Sequence, residues 1–474
     1  MRRGLTGLLV VAVGLSAAGC GSRLSHDRLV TAAGGHLEIT GSPRSVPTGV
    51  GSAPLTTASS AAPAAGAGGG SNAGGAGSTG PSPTSSADPS GGATSSPKGT
   101  GAGSACSGAS SPIVIGSVGE ISGLAGSNSL DGVNAVRAWV SDVNARGGIA
   151  CHPVNYLVAD DGGNPSTAQS EVKKFVEQDQ VVAFVYMTGA LTGQSTQAYI
   201  AKHQIPVIGS EGGENEFYNS PYYFPQASSG DQFIALGIYA AADNARAHQM
   251  SAIGTLSCVE AAVCTTLYKN APALAAQRGT NVVYQGQTSL GTPDYTANCL
   301  SAKSAGVQMF IIALDANSLL RVAKNCSTVG FHPTFATLGS NAEDSLTSNP
   351  ALDRMVAGIQ TIPPFVTGNA AVAHYRSVLG QHLAGARYSF NSILGWTAAQ
   401  LFGLAVSRVK EPTTSAAILT GLYSVKHDDL GGLTAPLTFT RGRNAPSTTC
   451  WWAAVIADGE YTSPNGATRT CIGE

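Results

Sequence analysis

Charge is scarce in this chain: only 11% of its 474 residues are Asp, Glu, Lys or Arg, and 26 Lys+Arg stand against 28 Asp+Glu for a formal charge of -2. Nucleic-acid phosphates are held by an excess of Lys and Arg, so this balance excludes a nucleic-acid partner. Long apolar runs are also missing. The run from Leu5 to Leu15 falls well short of the roughly 20 residues that cross a bilayer, and no other stretch does better. Signatures of chemistry are absent too: there is no C-x-x-C pair, no Cys/His cluster at zinc spacing, no Gly-x-Ser-x-Gly elbow, no Gly-Lys phosphate loop and no His-Glu-x-x-His. The 9 histidines are scattered, and His203 and His332 fall where solvated loop residues are expected. These absences favour a protein that binds rather than catalyses, with no metal and no cofactor. What is present, 43% hydrophobic residues, suffices for a sizeable core, while Trp396, Trp451 and Trp452 read as packing residues.

At the N-terminus, Arg2 and Arg3 precede the short apolar run, and Ala17-Ala18-Gly19-Cys20 follows it. Residues 1–19 read as a signal peptide. Small residues ahead of a cysteine resemble the bacterial lipoprotein processing site, with Ala17 where leucine is commoner; the resemblance implies a lipid anchor on Cys20. An ordinary secretory signal with a chance cysteine is the alternative. From about Gly41 to Ser110 the composition collapses to Gly, Ser, Ala, Thr and Pro without hydrophobic period. Such a segment cannot offset its ordering entropy by burial, so residues 20–110 are expected to be a flexible tether. A coil of that length spans on the order of 50 Å.

Of the 9 cysteines, 8 remain once Cys20 is set aside, and all lie at or beyond Cys106. Disulfides outside the cytoplasm are their simplest use. Sequence permits 105 pairings. Consecutive pairs are favoured: Cys106 with Cys151, each just before a strand; Cys258 with Cys264 around a short loop; Cys299 with Cys326 between two helices; Cys450 with Cys471 at the C-terminus.

From Ser111 onward the pattern changes. The run 112–118 is a short β-branched strand, and Leu130, Val133, Val136, Val140 and Val143 then recur at helical spacing before Gly147-Gly148. The alternation continues with a strand at 154–159, a helix opened by a Ser166/Gln169 capping box, a strand at 181–186, a helix at 192–203 and a strand at 206–208. A second series follows, with strands at 250–255, 282–284, 309–313 and 335–338 and helices at 261–277, 295–305 and 317–326. A long helix covers 391–409, and the tail from Leu437 is β-rich. Strands alternating with helices imply parallel sheets with helices on both faces. The expected fold is α/β, with two doubly wound parallel-sheet lobes after a disordered tether.

One set of residues carries a family likeness: Ile113-Val-Ile-Gly, Ser122-Gly123, Asp131-Gly132, Val143-Asn-Ala-Arg-Gly-Gly-Ile149, Leu157-Val-Ala-Asp-Asp161, Ile205-Pro-Val-Ile208, Tyr223-Phe-Pro225, the run from Ala305 to Leu314, Val329-Gly-Phe331 and 431–439. In this order and spacing they resemble ABC-transporter solute-binding proteins of the branched-chain amino-acid type, which have the type I periplasmic-binding fold. The resemblance implies a three-segment hinge with crossings near Gln226, Ile362 and Gly432, dividing the chain into an N-terminal lobe (111–226 and 363–431) and a C-terminal lobe (227–362 and 432–474). It also implies a solute held between the lobes. Independently, open parallel sheets gather loops and helix N-termini at the carboxyl ends of their strands, which suits a ligand.

Candidate ligand residues follow from the strand-end loops. Ser122 and Gly123 lie after the first strand, Thr188 and Thr192 after the third, and Ser210 and Gly212 after the fourth; Asp315, Ser340 and Asn341 follow strands of the second lobe. Each has a plainer role: a Ser/Gly turn at 122–123, and helix N-caps at Thr192 and Asp315. The likeness breaks at the amino-acid pocket. A tyrosine common in the first loop of the second lobe is missing from 256–264, and a carboxylate common after the Phe335 strand is replaced by Gly339-Ser340-Asn341. A ligand ammonium would have only Asp315, Glu120 or Glu211 to face.

The expected function is therefore capture of a small polar solute, amino-acid or amide-like, by an extracytoplasmic, lipid-anchored receptor that serves ABC permease subunits. A sensing or scavenging module not coupled to transport is the alternative.

Overall fold

The computed structural model describes residues 110–122, 126 and 129–472. Cys20, Cys106 and Gly123 lie outside the described residues, as do the expected signal peptide and nearly all of the expected tether. The first sheet comprises β1 (Ile113–Gly119), β2 (Val154–Asp160), β3 (Ala183–Met187), β4 (Val207–Ser210) and β5 (Tyr223–Phe224). Its order is β2-β1-β3-β4-β5, with every pairing parallel. Helices α1 (Leu130–Ala145), α2 (Pro165–Glu177) and α3 (Gly193–His203) connect these strands. The run that forms β1 is buried along almost its whole length, as a strand covered on both faces must be.

The chain then builds a second layer. Helix α4 (Gly230–Ala247) precedes β6 (Ala252–Cys258), α5 (Ala262–Gln277), β7 (Asn281–Thr288), α6 (Thr296–Ser304), β8 (Met309–Ala313), α7 (Ala316–Thr328), β9 (Thr334–Leu338) and β10 (Val356–Ile359). Strands β6 to β10 pair in parallel, and the tail adds β11 (Cys450–Ala457) antiparallel to β10, with β12 (Glu460–Thr462) and β13 (Thr470–Cys471) beyond it. The result is two parallel-sheet lobes, the second with an antiparallel edge. Between β10 and β11 the chain returns to the first sheet as α8 (Ala370–His382), α9 (Phe390–Ser407) and α10 (Ser415–Tyr423).

Packing explains the placement of α9. Val133, Val136, Trp139, Val140 and Val143 face inward from α1, and Trp139 meets Phe402 edge-on at 5.9 Å. A Cβ on Gly395 would stand 2.1 Å from the Gly132 carbonyl oxygen, so the two helices touch backbone to backbone only because position 395 lacks a side chain, while the bare Gly132 leaves room for the Tyr186 ring. Burying a valine or leucine side chain in such a seam contributes roughly 1.5–3 kcal/mol. Trp396, Trp451 and Trp452 are buried, in keeping with packing roles.

The structure corrects the capping expectation for α2. Asn164, not Ser166, is the N-cap: its side-chain oxygen accepts from the Ser166 and Thr167 N–H groups, and Pro165 fills the first helical position. Proline there needs no N–H and presets φ, which moves the helix start upstream of the serine. Three expected disulfides are present: Cys258–Cys264, Cys299–Cys326 and Cys450–Cys471.

Residues at the expected crossings make polar contacts with distant segments. Gln226 donates its amide N–H to the Ser210 and Leu394 carbonyls and accepts from the Ser210 N–H. The Ile362 N–H donates to the Leu433 carbonyl at 3.0 Å, setting two crossing segments side by side.

Candidate functional site

Strand-end loops from both lobes enclose a cavity of about 80 Å³. Ala190 and Leu191, after β3, and Glu211 and Gly213, after β4, form the first-lobe wall. The second lobe supplies Phe233 and Ile234 from the opening of α4, the Cys258–Cys264 loop with Val263, Leu290 after β7, Leu314 and Asp315 after β8, and Ser340 and Asn341 after β9. Most of this lining is aliphatic, and two acidic residues belong to it, Glu211 from the first lobe and Asp315 from the second. The disulfide closes a loop of the wall, which limits its movement.

Of the residues singled out from sequence, Asp315, Ser340 and Asn341 lie in the cavity wall. Asp315 also caps α7, accepting from the Ser318 N–H at 3.0 Å. Thr188 and Thr192 are fully buried behind the wall; the Thr192 hydroxyl, at the N-cap position of α3, donates to Asp161 at 2.8 Å instead of capping the helix. Ser210 is buried and its hydroxyl accepts from the Gly212 N–H at 3.1 Å. Gly212 has φ 110°, and a Cβ there would meet the Gln360 amide nitrogen at 2.2 Å, so this turn admits only glycine. Ser122 is exposed, with its N–H donated to Asp160 at 3.1 Å.

Behind the wall lies a concentration of acid that sequence order did not reveal. Glu120, Asp161, Glu211 and Glu214 are all buried at the ends of β1, β2 and β4. The Leu191 N–H donates to Glu120 at 2.7 Å, the Gly189 N–H to Glu214 at 2.9 Å, and the Ala190 N–H to Glu211. Ser129 adds a hydroxyl to Glu211 at 3.3 Å. None of these four acids takes part in the ion pairs found among the described residues. Burial, then repulsion from Glu211, pushes the Glu120 carboxyl up to about 9. Burial raises Glu211 to about 7 against the opposing hydrogen bonds from Ser129 and Ala190. Glu214 is held well above the usual carboxylate range by burial and by Glu211. Asp160, near the surface, is the contrast: burial pulls it upward, but donors from Ser122, Gly162 and Ile121 outweigh this and lower it.

Glu120 and Glu211 were legible as the acids nearest the strand ends. Glu214 and Asp161 were not, because the groups they bond come from β3 and its loop, far away in sequence. The apolar wall from Phe233 and Ile234 also escaped notice, since it comes from the start of a helix with no sequence period of its own.

Residues 112–460 match the family described as periplasmic binding protein, and the chain belongs to that family. Its fold is shared with solved structures of low sequence identity. A branched-chain amino-acid ABC transporter protein from Thermus thermophilus, with bound valine, superposes with TM-score 0.67 at 16% identity, covering 77% of this chain and 98% of that one. A possible leucine/isoleucine/valine-binding protein from Rhodopirellula baltica SH 1 gives TM-score 0.66 at 17% identity over 76% and 98%. A fatty acid ABC transporter substrate-binding protein from Thermomonospora curvata gives 0.63 at 14% over 76% and 91%. No curated protein matches this chain. These likenesses establish a type I periplasmic-binding fold. Among the described residues, no helix is long and apolar enough to cross a membrane.

Proposed function

We propose that this protein captures a small solute outside the cytoplasm and hands it to an ABC permease, performing no chemistry on it. The observation that carries this reading is the position of the cavity: both lobes contribute strand-end loops to it, so a molecule inside it would couple their closure. Family membership supports the same reading. Anchorage by lipid on Cys20, with residues 20–110 as a spacer, fits a receptor that works at a membrane surface. Of the nine residues singled out from sequence, Asp315, Ser340 and Asn341, which line the cavity, are proposed to touch the solute.

Thermal-shift screening of the purified protein tests the capture. A true ligand raises the melting temperature progressively as its concentration passes Kd. Failure of amino acids, amides, amines, urea-like compounds and aromatic acids alike to do so would contradict the proposal. Replacing Cys20 by alanine tests the anchor: the variant should leave the membrane fraction for the medium, and retention on the membrane would refute lipidation there.

A further inference from the structure

We infer that the solute is a small organic cation, a protonated amine with an apolar body and no carboxylate. This deepens the capture reading and rests on it. The argument begins with donors. Successive backbone N–H groups at a strand end and helix N-terminus form a ready cradle for a carboxylate. In this chain the cradle after β3 is filled from within: Gly189, Ala190 and Leu191 donate to Glu214, Glu211 and Glu120 respectively. The Gly212 N–H after β4 also reaches Glu214, at 3.3 Å. The second lobe repeats the pattern, with Val259 and Leu290 N–H groups given to Glu260 and the Ser318 N–H to Asp315. A ligand carboxylate entering here would meet donors already in use and, beside them, buried acids with no cation.

Orphaned acceptors supply an independent sign. Glu120 Oε2, Gln360 Oε1 and Asn391 Oδ1 are buried without a hydrogen-bond partner, on side chains 1%, 2% and 3% exposed. The amide orientations are fixed by chemistry: the Asn391 Nδ2 donates to the carbonyl of Ser340 in the cavity wall, and the Gln360 Nε2 donates to the carbonyl of Glu211 in the opposite wall. Their free oxygens are therefore acceptors. The two free amide oxygens, on side chains that hydrogen-bond opposite walls of the cavity, call for a donor that accepts nothing in return, and an alkylammonium is such a group. The acids are not arranged as a metal site, since no group of three His, Cys, Asp or Glu among the described residues would hold an ion. The lining by Leu191, Phe233, Ile234, Val263, Leu290 and Leu314 suits a hydrocarbon body instead.

Matched ligands test this directly. With the purified full-length protein at pH 7.5, calorimetry and thermal shift would compare 3-methylbutylamine with leucine and 4-methylpentanoate, and benzylamine with benzoate and benzamide. Each amine is expected to bind at least tenfold more tightly than its carboxylate-bearing counterparts, and Glu211→Gln to weaken amine binding at least tenfold while the variant still melts cooperatively. An amino acid, acid or neutral amide binding as tightly as the amine would overturn the cation assignment and leave solute capture standing. Unchanged amine affinity in Glu211→Gln would also overturn it. If no compound of any class bound, both the assignment and the capture reading would fail.

Discussion

Buried acids without cations make the free protein sensitive to alkali. Burial holds the folded-state Glu211 and Glu120 carboxyls up at about 7 and about 9, above their ordinary value of 4.5. The folded state therefore holds their protons more tightly than the unfolded state does. Their stabilising contribution is fully present below about 4.5 and is lost as pH rises through 7 and then toward 9. The melting temperature without ligand should accordingly fall between pH 5 and pH 9, and Glu211→Gln should flatten the part of that decline below about pH 7. A melting temperature that rose over this range would contradict the burial of these groups. Asp315 allows a second test. Asn is as good an N-cap as Asp, so Asp315→Asn should cost only a few tenths of a kcal/mol in stability. It should nevertheless weaken an amine ligand severalfold; equal affinity by calorimetry would remove Asp315 from the site.

Secondary-structure elements differ in how openly the sequence declared them. Strands β1 and β8 were visible because each is a short β-branched or apolar run bounded by loop residues, and α1 because its valines keep one face. Helix α4 was not: residues from Phe233 to Ala242 are buried on every side, so no polar stripe marks its period. Strand β10 is only four residues long and contains a glycine, which leaves little signal. The start of α2 was misplaced by two residues because Asn164-Pro165 outcompetes a serine further on. Asn164→Ala should thus cost about 1 kcal/mol in denaturant unfolding and Ser166→Ala much less; the reverse order would restore the capping box. Replacing Cys258 and Cys264 together by serine should cost about 2 kcal/mol by the loop-entropy relation. It should also weaken solute binding, because both cysteines belong to the cavity wall.

At the scale of the whole molecule, function depends on the lobes acting on one solute together. Their alternating plan was readable from sequence, whereas the filled N–H cradle arises only when β1, β3 and β4 are assembled. Hydrogen–deuterium exchange with and without saturating 3-methylbutylamine is the most direct measurement of this claim. The account predicts slower exchange in both sets of strand-end loops at once, residues 188–192 and 211–214 of the first lobe and 258–264, 313–315 and 338–341 of the second. Protection confined to one lobe, or found away from these loops altogether, would contradict it.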